Sequence, residues 1–190
     1  DLAGAVFLAT PWDFHADGPD RARLLAASLV PLAPLMEAAG ELPVDTIQAL
    51  FSCLDPLQTL RKFLAFSHLD PQSPKAESFV ALEDWLNDGV ALTLPVAREC
   101  LGRWYGDNSP ASGAWRIAGQ VVNPGAMTLP ALCIIPDRDR IVPPESALAL
   151  AHALPNCQTH RPMAGHIGMI ASKKAPRTVW PLVKDWISTL

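Results

Sequence analysis

The stretch Leu129-Pro130-Ala131-Leu132-Cys133-Ile134-Ile135-Pro136-Asp137-Arg138-Asp139 decides how this chain folds. A short apolar run held between two prolines gives way abruptly to a charged loop. Such an unbroken run is what a strand covered on both faces of a parallel sheet requires. In open parallel sheets the reactive groups gather just beyond the C-terminal ends of the strands. Asp139 falls in that position.

Reading outward, Pro143-Pro144 leads into a helix over about 145–154, stopped by Pro155. Thr159 to Met163 reads as the next strand, delivering the loop Ala164-Gly165-His166-Ile167-Gly168, where the two glycines let the backbone turn sharply around the imidazole. Val179, Leu182, Val183, Trp186, Ile187 and Leu190 keep a 3.6-residue spacing, and Pro176 stands near the start of that last helix. Upstream, Trp115–Val122 reads as two short extended pieces about a Gly turn. Ala5–Ala9 reads as a buried strand, ended at Thr10-Pro11-Trp12-Asp13-Phe14.

Between these parts the pattern is helical. Asp20 caps a helix from Arg21 towards Leu29, before Pro31 and Pro34. Pro43 opens a second helix, with Val44, Ile47, Leu50, Phe51 and Leu54 on one face. Leu57, Leu60, Phe63 and Leu64 mark a third, and Val96, Cys100 and Trp104 a fourth begun by Pro95. The expectation is an α/β core formed by residues 1–17 and 111–190, with residues 18–110 as a mainly helical cap inserted in it.

Composition narrows the function classes. At 190 residues, 49% hydrophobic and 18% charged, the chain is globular rather than disordered. A net charge of −4 without a Lys/Arg patch argues against nucleic acid. No apolar stretch is long enough to span a membrane. Cys53, Cys100, Cys133 and Cys157 lack zinc-ligand spacing, so no metal site is expected, and reduced thiols make the cytoplasm the default compartment. The chain opens at Asp1 on an immediate strand, from which we expect further sequence upstream.

Asp139 and His166 are the candidate catalytic residues. A histidine needs a fixed tautomer to act as a base, and a carboxylate at its far nitrogen supplies that. Strand, Asp, helix, strand, His is the second half of the nucleophile–Asp–His order of the α/β hydrolases. On the residues alone, Asp139 is more often an ordinary loop carboxylate than a catalytic one, and Asp137 competes with it; an isolated Gly-His-Ile-Gly is more often structural. His15, His68, His152 and His160 have no comparable setting. No Gly-x-Ser-x-Gly or Cys equivalent occurs, so the nucleophile that this order needs is missing.

Asp139-Arg140-Ile141-Val142-Pro143 followed by Ala164-Gly165-His166-Ile167 resembles the C-terminal part of polyhydroxyalkanoate synthases. Leu8-Ala9-Thr10-Pro11-Trp12-Asp13-Phe14, Trp85-Leu86-Asn87-Asp88 with Leu94-Pro95, and Tyr105–Asn108 with Ala118-Gly119 are similar to further segments of that family. Arg140 departs from the His usual after the Asp, and residues 18–80 are little like the family. The resemblance implies the C-terminal part of an α/β-hydrolase fold with a helical cap. It implies an acyltransferase that polymerises 3-hydroxyacyl groups from their coenzyme A thioesters, with an upstream cysteine as nucleophile and no cofactor besides the thioester substrate. His166 would be the general base and Asp139 its orienting partner, with a part in activating the incoming hydroxyl. Trp85 and Asp88 are candidates for substrate binding, weighed against plain packing and capping roles. Its partners would be 3-hydroxyacyl-coenzyme A, the growing polyester at a cytoplasmic granule surface, and a second copy in a homodimer. Two other readings stand beside it: a hydrolase on the same fold (esterase, thioesterase or polyester depolymerase), and a non-catalytic granule-binding module.

Overall fold

The computed structural model describes residues 2–52 and 57–190; Cys53 and Leu54 lie outside them. The chain divides into two compact units, Asp1–Ala27 with Leu101–Leu190, and Ser28–Cys100.

The first unit is built on strands β1 (Ala5–Leu8), β6 (Ala131–Ile134) and β7 (Cys157–His160), all parallel, in the order β1-β6-β7. Every residue of β6 is buried, as its unbroken apolar run requires of a strand with neighbours on both edges. The strand expected over 159–163 begins two residues earlier and ends at His160, because its register is set by pairing with β6: Ala131 lies opposite Cys157 and Ile134 opposite His160. Helices α1 (Pro19–Ala27), α7 (Pro144–Ala153), α8 (Gly168–Ala171) and α9 (Val179–Ile187) complete this unit. Leu150 and Ala151 of α7 and Val179 and Trp186 of α9 join Leu132, Ile134 and Ile135 in one apolar core. Gly4 lies so close to Trp186, Leu190 and the Pro130 carbonyl that a Cβ there would meet them at 2.8–3.0 Å.

The expected turn about Ala118-Gly119 is present. Both residues have positive φ (50° and 81°), and they join β4 (Arg116–Ile117) to β5 (Gln120–Val121) as a tight antiparallel hairpin.

The second unit is helical apart from one short antiparallel pair, β2 (Glu41–Leu42) with β3 (Leu92–Thr93). Its helices are α2 (Leu29–Ala39), α3 (Val44–Ser52), α4 (Gln58–Ser67), α5 (Pro74–Asn87) and α6 (Leu94–Ala97). Pro31 and Pro34, expected to end helical structure, lie within α2. Pro31 occupies the first turn, where an N–H has no intrahelical partner to lose, and the helix ends instead at Gly40, with φ 73°. Helix α5 starts at Ser73, whose hydroxyl accepts the Ala76 N–H, with Pro74 in the first position. Phe66 stacks on Phe79 at 4.4 Å and Lys62 pairs with Glu83 at 2.6 Å, joining α4 to α5. Leu57, Leu60 and Leu64 nevertheless remain exposed.

From α6 the chain runs into a π-helix, Arg98–Gly106, where a fourth α-helix is expected from the sequence. Its wide turn is visible in the Asp107 N–H bonding to the Gly102 carbonyl. No single helix among the described residues is long and apolar enough to cross a membrane.

Candidate active site

The sequence separates Asp139 and His166 by 27 residues; the sheet brings them together. β6 and β7 are adjacent and parallel, so their following loops emerge side by side. Hydrogen bonds prolong the pairing past the strands: Ile135 N–H to the His160 carbonyl (2.8 Å), Asp137 N–H to Pro162 (3.0 Å) and Arg138 N–H to Ala164 (3.0 Å). The two loops are thereby zipped in register as far as the residues flanking the pair.

Nδ1 of His166 lies 2.7 Å from Oδ2 of Asp139. The Asp139 side chain is wholly shielded from solvent, whereas the imidazole is 27% exposed. Oδ1 of the same carboxylate accepts the backbone N–H groups of Ile141 and Val142, both at 2.9 Å. A buried carboxylate needs such donors, since an unpartnered charge in the interior is costly. These donors fix the carboxylate plane, and through Oδ2 the carboxylate fixes the imidazole with Nδ1 as donor. Nε2 is left as the lone-pair nitrogen, a seat for a proton taken from a nucleophile.

Asp137, the competing carboxylate, is engaged elsewhere. Arg161 holds its Oδ1 through Nε at 2.8 Å and Nη2 at 2.6 Å. That ion pair also ties the loop after β6 to the segment after β7. Arg161 escapes sequence reading because its partner is fixed only by strand register.

Gly165 and Gly168 do not play the part expected of them. Neither has positive φ, and a Cβ at Gly168 would meet nothing within 4 Å. The histidine loop is shaped by its bonds to Arg138 and by the start of α8, with Met169 N–H on the Gly165 carbonyl. Of the other histidines, His15 bonds the Tyr105 carbonyl through Nε2 at 2.9 Å, His68 lies against the Leu64 carbonyl at the end of α4, and His152 is exposed.

Beyond β1 a second construction closes the strand end. Ala9 is buried at φ 44°, and Trp12 N–H bonds the Ser146 carbonyl at 3.2 Å. The Asn108 side chain, on a residue with φ 51°, accepts the Phe14 N–H and donates to Asp13 Oδ1. Around it Trp12, Phe14, Trp104, Tyr105 and Trp115 form a chain of ring contacts 4.8–5.9 Å between centroids. Sequence reading reaches Asn108 only as the end of the Tyr105–Asn108 segment that carries the family resemblance.

Trp85 and Asp88 belong to the other compact unit. Trp85, near the end of α5, is 62% exposed, and Asp88 caps that helix through its backbone N–H to Asp84. No group of three or more metal-ligating side chains is found among the described residues. Cys133 is buried in β6, where burial foremost, and then its neighbour Cys157, push the thiol up to about 12, so it is inert as a nucleophile at neutral pH.

No protein-family model matches the chain. It is 30% identical over 191 aligned residues to the Poly(3-hydroxyalkanoate) polymerase subunit PhaC of Synechocystis sp., covering 96% of this chain and 50% of that protein. The subunit of the same name from Allochromatium vinosum is 27% identical over 187 residues, covering 96% and 52%. That from Haloferax mediterranei is 26% identical over 156 residues, covering 80% and 32%. The chain thus spans a third to a half of the length of these curated relatives. Among solved structures, the putative non-heme bromoperoxidase BpoC from Mycobacterium tuberculosis superposes with a TM-score of 0.54 at 17% identity, covering 99% of this chain and 58% of that one, which speaks for the fold alone. The chain is similar, over part of their length, to the poly(3-hydroxyalkanoate) polymerase subunits, and its fold is that of the α/β hydrolases.

Proposed function

We propose that this chain supplies the Asp–His half of a polyester-forming acyltransferase acting on 3-hydroxyacyl-coenzyme A. The observation that carries the reading is the buried Asp139 carboxylate bonded at 2.7 Å to a partly exposed His166. Polymerase relatives that match nearly the whole chain support it.

The nucleophile, a cysteine, would come from the part of the relatives' length that this chain does not match. His166 Nε2 takes the thiol proton as sulfur attacks the thioester carbonyl; the C–S bond to coenzyme A breaks, and the departing thiolate receives that proton. A second substrate's hydroxyl then gives its proton to His166 and attacks the enzyme thioester, forming an ester bond and returning the cysteine as a thiol. Asp139 holds the imidazole tautomer and stabilises the imidazolium of each step. With both oxygens engaged and its side chain shielded, it reaches the hydroxyl only through His166.

Residues 18–110 would act as a cap over a core of 1–17 and 111–190, with Trp85 and Asp88 contacting substrate, in a homodimer at a cytoplasmic granule surface. The exposed indole of Trp85 is compatible with a substrate contact.

The test uses the protein that carries this chain, supplied with 3-hydroxybutyryl-coenzyme A. Release of free coenzyme A with polymer formation is expected, and His166→Ala abolishes both; undiminished turnover in that variant sinks the assignment. Release of free 3-hydroxybutyrate without polymer would move it to a hydrolase. Tight granule binding with no acyl chemistry would make it a binding module. Trp85→Ala is expected to raise KM with little change in kcat, and sedimentation tests the dimer.

A further inference from the structure

Two thiols outside the dyad touch. Cys133 on β6 and Cys157 on β7 stand with their sulfurs 3.3 Å apart, both reduced. Cys133 lies opposite Thr159 and Cys157 opposite Ala131, so the two are diagonal neighbours, offset by two residues on one face of the sheet. Cys133 is fully buried, whereas Cys157 is partly open. Cys157 borders a surface cavity of about 290 Å³ lined also by Pro130, Pro155, Asn156 and Trp186. A reagent can therefore reach Cys157, while Cys133 is reached only through Cys157. These two strands are also the ones whose following loops carry Asp139 and His166.

We propose that Cys133 and Cys157 form a redox-responsive pair, oxidised by a low-molecular-weight disulfide to an internal cross-link that shifts β7 along β6 and pulls His166 away from Asp139. In the first step the Cys157 thiolate attacks one sulfur of the small disulfide. The mixed disulfide forms, and one small thiol leaves with the proton that Cys157 gave up. The Cys133 sulfur, on deprotonation, then attacks Sγ of Cys157 and expels the second small thiol. The protein loses two hydrogens and the reagent is reduced to two thiols, so atoms and electrons balance. Because burial keeps Cys133 protonated, the second step is the slower one and quickens as pH rises.

The diagonal placement gives the cross-link its consequence. With parallel strands about 4.8 Å apart and a two-residue offset of about 6.6 Å along them, diagonal neighbours have Cα atoms about 8 Å apart, beyond the roughly 4.4–6.8 Å usual for a disulfide. Sulfurs already in contact bridge part of that difference, and the strands must slide to supply the rest. A strained bridge of this kind is readily reduced, as a reversible device requires. The cross-link is independent of the polymerase reading; only its effect on catalysis rests on that reading.

The experiment treats the full chain with excess oxidised glutathione at mildly alkaline pH and follows intact mass, peptide mapping without reductant, and the His166 ring signals by NMR. Expected are the loss of two hydrogens, one peptide pair joined through Cys133 and Cys157, displaced His166 signals, and full reversal by dithiothreitol. Cys157→Ser prevents both the cross-link and any adduct at that position. A persistent glutathione adduct on Cys157, no reaction, or pairing with Cys100 or Cys53 instead overturns the pair. A cross-link that leaves the His166 signals in place overturns the coupling to the dyad. Coenzyme A release is not the readout, so failure of the polymerase reading leaves the result interpretable.

Discussion

Nδ1 of His166 and Oδ2 of Asp139 stand 2.7 Å apart, while the second oxygen of that carboxylate is already committed to two backbone N–H groups. The carboxylate is thus oriented from behind before it orients the imidazole in front. Asp139→Asn separates these two duties. Its amide oxygen keeps the Ile141 and Val142 bonds, but its NH2 now faces Nδ1 and forces the proton to Nε2. The protein should fold normally, and turnover should fall by about 10⁴-fold, the cost of the same tautomer change in a serine-protease triad. Imidazole ¹⁵N shifts reporting an unchanged tautomer would contradict this account.

Asp139→Ala removes both duties. Two N–H groups at the start of the Ile141-Val142 segment lose their acceptor, a loss of about 1–3 kcal/mol for a buried unsatisfied group. Chemical denaturation should place this variant clearly below Asp139→Asn in stability. Equal midpoints would mean that water replaces the carboxylate.

Asn108 fastens the loop beyond β1 from two sides. Asn108→Ala strands the Phe14 N–H and leaves Asp13 Oδ1 to the His15 N–H alone, with an expected loss of about 1–3 kcal/mol. Asn108→Gly suits the 51° backbone better but restores neither bond, so it should recover only part of the loss. Thermal unfolding of the three proteins checks the ranking.

Two glycine substitutions should behave oppositely. Gly168→Ala meets open space and an ordinary backbone, and should change stability by no more than about 0.5 kcal/mol. Gly4→Ala pushes a methyl group into Trp186, Leu190 and the Pro130 carbonyl, and should cost about 1–3 kcal/mol, measured as a lowered denaturation midpoint.

Cys133 carries a pH dependence. In the folded protein its thiol is held up to about 12, against an ordinary value of 9.0, chiefly by burial. Below 9 both folded and unfolded chains keep the proton and the contribution is constant. As pH rises from 9 towards 12, the unfolded chain gives up a proton that the folded chain retains, so stability falls. Cys133→Ala should show a shallower decline in Tm over this window than the parent protein. Parallel declines would mean that other groups account for the loss.

How far the sequence could be read followed the kind of signal each element carries. β6 was legible because a short apolar run between two prolines admits few other structures. The α9 stripe and the Ala118-Gly119 hairpin were legible because period and turn chemistry are local. The order of Asp loop, helix and His loop was legible too, though not the choice between Asp137 and Asp139, which turns on Arg161 reaching across from the other loop. The limits of β7 depend on its register with β6, a long-range property. The spacing of Val96, Cys100 and Trp104 does not separate a π-helix from an α-helix, and Pro31 misled because in the first turn its missing N–H had no partner to lose, whereas Pro34 sits inside α2. Gly165 and Gly168 suggested a special backbone that the loop never adopts.

The zipped loops have a further consequence for protein engineering. Because the positions of Asp139 and His166 are set by lateral bonds between neighbouring strands and their extensions, they do not depend on the length of the connection that crosses over between them. The α7 helix itself is packed into the core through Leu150 and Ala151, so additions belong in the exposed turn that follows it. Extra helical turns, a tag or a foreign module could be spliced in near Pro155 while Asp139 and His166 stay in register, whereas a single-residue deletion between His160 and Gly165 would throw that register out.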